Sequence, residues 1–312
     1  KGIDGFRCDM AEMVPVEFWN WVIPQVKKKN KSLLFIAEVY NPALYHSYSQ
    51  AEFDYLYDKV DLYDTLRDII CDRRPTSDIT FCWQRVDGLQ EKMLNFLENH
   101  DEQRIASDYF AHDPQKAIPA MIIAATMNTN PVMIYFGQEL GERGMDKEGF
   151  SGQDGRTSIF DYWSVSSIRN WRNGGSFGVK GLDAQQVKLR QFYTQLIKTS
   201  SEERAITEGI FYDLMYCNYE NKEFDSTKQF AFLRSYKKEV IFVVTNFSDR
   251  AEEISVNIPV EAFVYINLAP AKIKKATDLL SKKEIPFPKN WVGYMNLKLE
   301  AHSGKIIKFS LS

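Results

Sequence analysis

The sequence predicts an α/β domain that forms part of a (β/α) barrel, followed by an all-β antiparallel sandwich domain, and three observations carry that prediction. Short apolar runs alternate with amphipathic stretches up to about residue 204, the pattern of βα units around a parallel sheet. After about Ala205 the period becomes strand-like alternation joined by polar turns, which marks a second domain. At 312 residues, 44% hydrophobic and 26% charged, the chain exceeds one typical domain and has an ordinary globular composition. The expected division is therefore 1–204 and 205–312.

In the first part, Gly5 to Asp9 reads as a buried strand and Val16 to Lys29 as a helix with Val16, Phe18, Trp19, Val22, Ile23 and Val26 as its apolar members. Trp19 and Trp21 are both assigned to packing. Leu33 to Glu38 and Phe53 to Tyr57 are strands, and helices follow from about Leu62 to Cys71 and from Asp78 to Lys92. Leu94 to Glu98 is a short apolar strand that runs into Asn99, His100 and Asp101. Asp113 to Met127 reads as a helix with Asp113 as N-cap and Pro114 at the first helical position. Val132 to Phe136 is the fifth strand, Gly141 to Gly181 a long loop with one helical turn, and Asp183 to Ser200 an amphipathic helix. Five parallel strands are three short of the eight that close such a barrel. In the second part, Phe230 to Tyr236, Val240 to Phe247, Glu253 to Val256, Leu297 to Leu299 and Lys305 to Leu311 read as antiparallel strands.

Charge and composition exclude several classes. A net charge of −3 without a long basic run is not the footprint of a nucleic-acid binder. The most apolar stretch, Ile118 to Tyr135, is broken by Thr126, Asn128, Thr129, Asn130 and Pro131, so it is not read as a membrane span. Cys8, Cys71, Cys82 and Cys217 lack paired spacing and are expected as free thiols, with Cys8 turned into the core. His46, His112 and His302 have no ligand spacing, so no metal site and no cofactor is expected in this chain. Since the first residues already read as a buried strand, further sequence is expected before Lys1, and the compartment is not legible.

Asp9, Glu38 and Asp101 each stand at or just past the end of a different apolar strand. Barrel enzymes gather their reacting groups at the C-terminal ends of strands, so these three distant carboxylates are expected to converge. A single carboxylate after a strand is commonly only a helix cap, but three of them, with Arg7 two residues before Asp9 and His100 immediately before Asp101, fit the requirements of glycosidic bond cleavage. Arg7 alternates to the same side of its strand as Asp9. Glu12 reads as the start of the next helix, Tyr40 as a candidate to line the substrate groove, and Arg104 and the Arg156 to Trp163 loop as able to reach the cleft but favoured as structural.

On these residues the chain resembles the α-amylase family, glycoside hydrolase family 13. GFRCDMAEMV is similar to that family's second conserved region, FIAEV to its third and FLENHD to its fourth; PVMIYFGQELG resembles the end of its eighth strand, and DGRTSIFDYW the loop beyond. The resemblance implies about strands 4–8 of a TIM (β/α)8 barrel, with the all-β domain C behind it. It implies Asp9 as nucleophile, Glu38 as general acid and base, Asp101 as transition-state stabiliser, and Arg7, His100 and Tyr40 as substrate-binding residues. The implied activity is retaining hydrolysis of α-1,4-glucosidic bonds in starch-type glucans; transglycosylase, isomerase and non-catalytic binding or assembly roles are the alternatives the family also offers. The first conserved region and the calcium ligands of the full-length family member would precede Lys1. The expected partners are an α-glucan and either the missing N-terminal half barrel or a second copy of the chain, and the chain alone is expected to be inactive.

Overall fold

The computed structural model describes residues 2–86, 88–146, 153–160, 165–270, 273–286 and 293–311. Strands β1 (Gly5–Cys8), β2 (Leu34–Ala37), β3 (Tyr55–Tyr57), β4 (Met93–Phe96) and β5 (Val132–Met133) form one parallel sheet in sequential order. The register pairs Arg7 with Ile36, Ala37 with Leu56, Tyr57 with Leu94 and Phe96 with Met133. Parallel neighbours bring all five C-terminal ends to one edge of the sheet, which is the geometric precondition for a shared site. Helices α1 (Val16–Lys29), α2 (Tyr45–Gln50), α3 (Asp64–Ile70), α4 (Asp78–Arg85), α5 (Ile118–Thr126), α6 (Ser166–Arg172), α7 (Ala184–Glu202) and α8 (Arg204–Thr207) follow in chain order.

Several element boundaries differ from the expected ones for local reasons. β1 is not fully buried: Phe6 is exposed, and among the described residues the strand pairs only with β2. Trp19 packs on Phe53 and donates to the Ala11 carbonyl, whereas Trp21 is 61% exposed. α4 stops at Arg85 instead of reaching Lys92, because Gly88 takes a φ of +83°, a conformation that terminates a right-handed helix. The expected helix from Asp113 begins as a 3-10 turn, Pro114–Ala117, with the Asp113 side chain accepting from the Gln115 amide. Pro119 has no N–H to return to Gln115, so the α-helical ladder starts only there. β5 is two residues long: the Tyr135 amide is taken by the Gln138 side chain and the Phe136 carbonyl by Arg104, so neither group serves the ladder. Within the expected Gly141 to Gly181 loop, α6 is two turns long; residues 147–152 and 161–164 lie outside the described residues, and with them the end of the Arg156 to Trp163 segment.

The second part has a six-stranded antiparallel sheet, in the order β11-β10-β13-β8-β7-β6, and a two-stranded ribbon of β12 and β9. Its strands are β6 (Ile210–Asp213), β7 (Gln229–Tyr236), β8 (Glu239–Asn246), β9 (Glu252–Asn257), β10 (Ile273–Asp278), β11 (Glu284–Ile285), β12 (Tyr294–Leu299) and β13 (Ser303–Leu311). The part is not all-β, since α9 (Val260–Tyr265) follows Pro259, which takes the N-cap position. The sequence pattern does not mark β6, β10 and β11: they lie toward the margins of the sheet and are short or irregularly buried, which leaves no regular alternation to read. The central strands β7 and β8 are buried along nearly their whole length.

One apolar cluster runs from α5 and α7 into β7, β8 and β13 without interruption. Gly304 on β13 makes that close approach possible, because a Cβ there would lie 2.9 Å from the Ile122 side chain and 2.8 Å from the Val244 carbonyl. Arg234 on β7, 2% exposed, donates to the carbonyls of Ala205, Met127, Ile206 and Gly209 at 2.7 to 3.1 Å. Its guanidinium therefore ties the end of α5, the α8 turn and the second sheet to one point. Burial pushes its pKa down to about 10, which still leaves it charged at neutral pH.

Replacing Arg234 with Met keeps the apolar stem and leaves four buried carbonyls without donors. Arg234→Met is expected to destabilise the chain by about 3 kcal/mol or more, read as a lowered midpoint in urea unfolding.

Candidate active site

The parallel strands deliver the expected carboxylates to a single guanidinium. Arg7, the third residue of β1, projects to the same side as Asp9 and bonds to it through Nη1. Its Nη2 lies 2.8 Å from Glu38 Oε1, within ion-pair range though off the hydrogen-bonding angle, and 3.9 Å from Asp101 Oδ2. Arg7 Nε donates to Tyr57 Oη at 3.3 Å, and the guanidinium lies over the Tyr57 ring at 5.5 Å. Burial works against the Arg7 charge, but the bonds to Tyr57 and Asp9 and the field of Glu38 outweigh it and hold the guanidinium above its ordinary range. A permanent cation thus sits where three carboxylates would otherwise repel one another.

The three acids differ in exposure. Glu38, directly after β2, has a side chain only 5% exposed, while those of Asp9 and Asp101 are 75% and 50% exposed. Glu38 accepts from the Met10 amide at 2.7 Å and from Tyr40 Oη at 2.8 Å. Burial first, then the bond to Glu38 and the charges of Glu38, Asp101 and Glu102, raise the Tyr40 phenol far above the usual tyrosine range, so it stays a donor. His100 Nε2 is 3.2 Å from Asp101 Oδ2. The structure therefore brings together Arg7, Asp9, Glu38, Tyr40, His100 and Asp101. Cys8, on the opposite face of β1, packs against the core, and burial pushes its thiol up to about 11; all four cysteines are free.

Further residues shape the site. Arg156 Nε donates to the Asp101 carbonyl at 2.8 Å, so the loop beyond β5 reaches this edge. Asn99 Oδ1 accepts from the amides of Asp101 and Glu102 at 2.8 and 2.9 Å, fixing the turn that presents Asp101. Glu102 is held by Lys59 at 3.2 Å, Arg67 at 3.3 Å and Tyr63 Oη at 2.9 Å. Tyr57 and Tyr55 alternate to one side of β3, the signal that could have nominated Tyr57; nothing in the sequence pointed to Lys59 or Glu102. Arg104 is structural: fully buried, it pairs with Glu98 at 2.6 Å and donates to Thr157 Oγ1 and the Phe136 carbonyl. Among the described residues no group of three or more His, Cys, Asp or Glu side chains is arranged to hold a metal ion. Nor, among them, is any helix long and apolar enough to cross a membrane.

A parallel sheet whose strand ends carry three carboxylates around one arginine, followed by antiparallel sheets, is the arrangement of a barrel-type α/β domain. More narrowly, the chain belongs to the α-amylase family: residues 1–195 match the family model described as Alpha-amylase, the Alpha amylase catalytic domain. It is 23% identical over 260 residues to Alpha-amylase 2 of Dictyoglomus thermophilum, covering 82% of this chain and 41% of that protein. It is 24% identical over 266 residues to Alpha-amylase MalA of Haloarcula japonica, covering 82% and 33%. In fold it is similar to the α-amylase of Geobacillus thermoleovorans solved with acarbose, with a TM-score of 0.71, 19% identity, and coverage of 99% of this chain and 60% of that one. The chain thus spans less than half of the length of the two α-amylases it matches in sequence.

Asp58, directly after β3, is fully buried and accepts from the Leu62 amide at 2.9 Å. Burial pushes its pKa up to about 7, with Asp61 adding to the rise and the Leu62 amide and Arg85 opposing it. In the unfolded chain the group ionises near pH 4, so its contribution to stability is complete below that and is lost as pH rises toward 7. Asp58→Asn, which keeps an acceptor for Leu62, is therefore expected to raise the melting temperature at about pH 8 and to have little effect near pH 4, on the order of a few kcal/mol at the upper end. Thermal melts of both forms across that range check it.

Proposed function

We propose that this chain carries the catalytic centre of a retaining glycoside hydrolase that cleaves α-1,4-glucosidic bonds in starch-type oligo- and polysaccharides. One observation carries the reading: the carboxylates of Asp9, Glu38 and Asp101 all face the Arg7 guanidinium at the C-terminal edge of a parallel sheet. Retaining cleavage needs a carboxylate to attack and a carboxyl to give and take a proton. Asp9, exposed beyond the strand end, attacks the anomeric carbon and forms a glycosyl ester as the bond to the leaving oxygen breaks. Glu38 in its protonated form gives its proton to that oxygen. In the second half Glu38 takes a proton from water, whose oxygen attacks the anomeric carbon and frees Asp9. Asp101 and His100 bind hydroxyls of the reacting sugar ring, and Arg7 orients Asp9 throughout. The names of the relatives and the acarbose held by one structural neighbour support a glucan as substrate.

The barrel corresponds to about strands 4–8 of an eight-stranded closure. Among the described residues the outer strands β1 and β5 each pair on one side only, and Ile3 and Phe6, before and on β1, and Leu34 on β2 are exposed. An open apolar edge recruits further strands, and we infer that preceding barrel strands, or failing them a second copy of the chain, cover it. The missing wall also completes the sugar cleft.

Two outcomes test these readings. With the complete barrel, Asp9→Asn and Glu38→Gln are each expected to lower kcat on maltoheptaose by at least about a thousandfold, and nuclear magnetic resonance of the first-formed product should show the α-anomer; a β-anomer would sink the retaining assignment. The purified 312-residue chain alone is expected to release no reducing sugar from maltoheptaose above the Asp9→Asn background, and turnover at the rate of the complete enzyme would refute the requirement for further strands.

A further inference from the structure

The loops after β1 and β2 hold each other through reciprocal carboxylate contacts. From the first loop the Met10 amide donates to Glu38 Oε2 at 2.7 Å; from the second, the amides of Tyr40 and Asn41 donate to a single oxygen of Glu12, at 3.0 and 2.9 Å. Glu12 is half-buried, and its loop is itself pinned by Trp19 Nε1 on the Ala11 carbonyl at 3.0 Å and Tyr48 Oη on the Val14 carbonyl at 2.9 Å. Met10 stands at φ +40° and ψ +48°, a left-handed conformation that a non-glycine residue holds only where its surroundings fix it. In that conformation its amide points at Glu38. Tyr40 is thus held at both ends: its amide by Glu12 and its hydroxyl on Glu38 Oε1 at 2.8 Å.

We propose that Glu12 is a positioning residue for the proton-transfer group Glu38, acting through the Tyr40 and Asn41 amides and not through the sugar. The inference rests on the assignment of Glu38 as acid and base made above. Two charge-assisted bonds to adjacent amides fix the backbone immediately beyond Glu38, and a small displacement of a reacting group costs a large factor in rate. Without the Glu12 carboxylate the two amides turn to water, Tyr40 loses its backbone anchor, and the Oε1 side of Glu38 is no longer aimed at the leaving oxygen. Asp9, held by Arg7 on β1, is not displaced by the same change.

That difference between the two acids is what the experiment reads. In the complete enzyme, kcat/KM is measured for maltoheptaose, whose leaving oxygen must be protonated, and for α-maltosyl fluoride, whose leaving fluoride departs without a proton. Glu12→Ala and Glu12→Asp, the latter a carboxylate one methylene too short to reach both amides, are expected to lose about tenfold to a hundredfold on maltoheptaose, chiefly in kcat with KM nearly unchanged. On the fluoride they should lose less than about threefold. Glu12→Gln, whose amide oxygen still accepts both N–H groups, is expected to restore most of the maltoheptaose activity. Equal losses on both substrates, or a Glu12→Gln variant as impaired as Glu12→Ala, would overturn the proposal. Glu38→Gln serves as the reference: if it shows no preference for the fluoride, the assignment of Glu38 fails, whatever Glu12 does. If Glu12→Ala does not fold, the Asp and Gln variants carry the same comparison.

Discussion

Carboxylates gathered at one sheet edge repel, and the architecture that brings them together is also what makes a cation there necessary. At about 4 Å and an effective dielectric near 20, two like charges cost on the order of 4 kcal/mol. Arg7 answers that cost from within the sheet. It is a strand residue, so its position is set by the register of β1 on β2 and not by a loop. It reaches Asp9 two residues along its own strand and Glu38 one strand over, with Asp101 at the margin of contact. The planar guanidinium suits this better than an ammonium would, because separate nitrogens face separate acids. The loops, the turn at Asn99 and the tyrosines around the site all adjust to that fixed point.

Much of this was legible from the sequence, because the relevant signals are short-range and periodic. Alternation along GFRCD places Arg7 and Asp9 on one side and Cys8 on the other, and strand-end position nominates Glu38 and Asp101. What could not be read depends on contacts between distant segments. Glu12 looks like an ordinary first-turn acid until the backbone amides of Tyr40 and Asn41 are seen to meet it. Lys59 and Glu102 come together only because a π-helical turn, Lys59–Tyr63, brings the end of β3 toward the loop after β4. In the second part, runs of β-branched and aromatic residues revealed the buried strands β7 and β8, while marginal β10 and the α9 turn carry too weak a pattern to stand out.

Position at a strand end is by itself a weak criterion. Asp58 follows β3 and Glu98 lies just past β4, as favourably placed in the sequence as Asp9 and Glu38. Both are fully buried, and each is consumed by its surroundings: Asp58 by the Leu62 amide, Glu98 by Arg104 and the Ile105 amide. Burial raises the pKa of both. Asp9 and Asp101, by contrast, keep open oxygen atoms toward solvent, where a ligand can reach them. Exposure alone does not sort the acids, since Glu38 is as buried as Asp58; what Asp9, Glu38 and Asp101 share, and Asp58 and Glu98 lack, is the Arg7 guanidinium.

The apolar seam between α5 and the second sheet also bears on how the molecule comes apart. Because Arg234 binds carbonyls contributed by both parts, and Gly304 lets β13 lie directly against Ile122, neither part keeps a finished surface once the other is removed. The antiparallel part is thus less an appended module than a lid welded to the barrel's outer wall, and melting should run through both parts as one cooperative step rather than two.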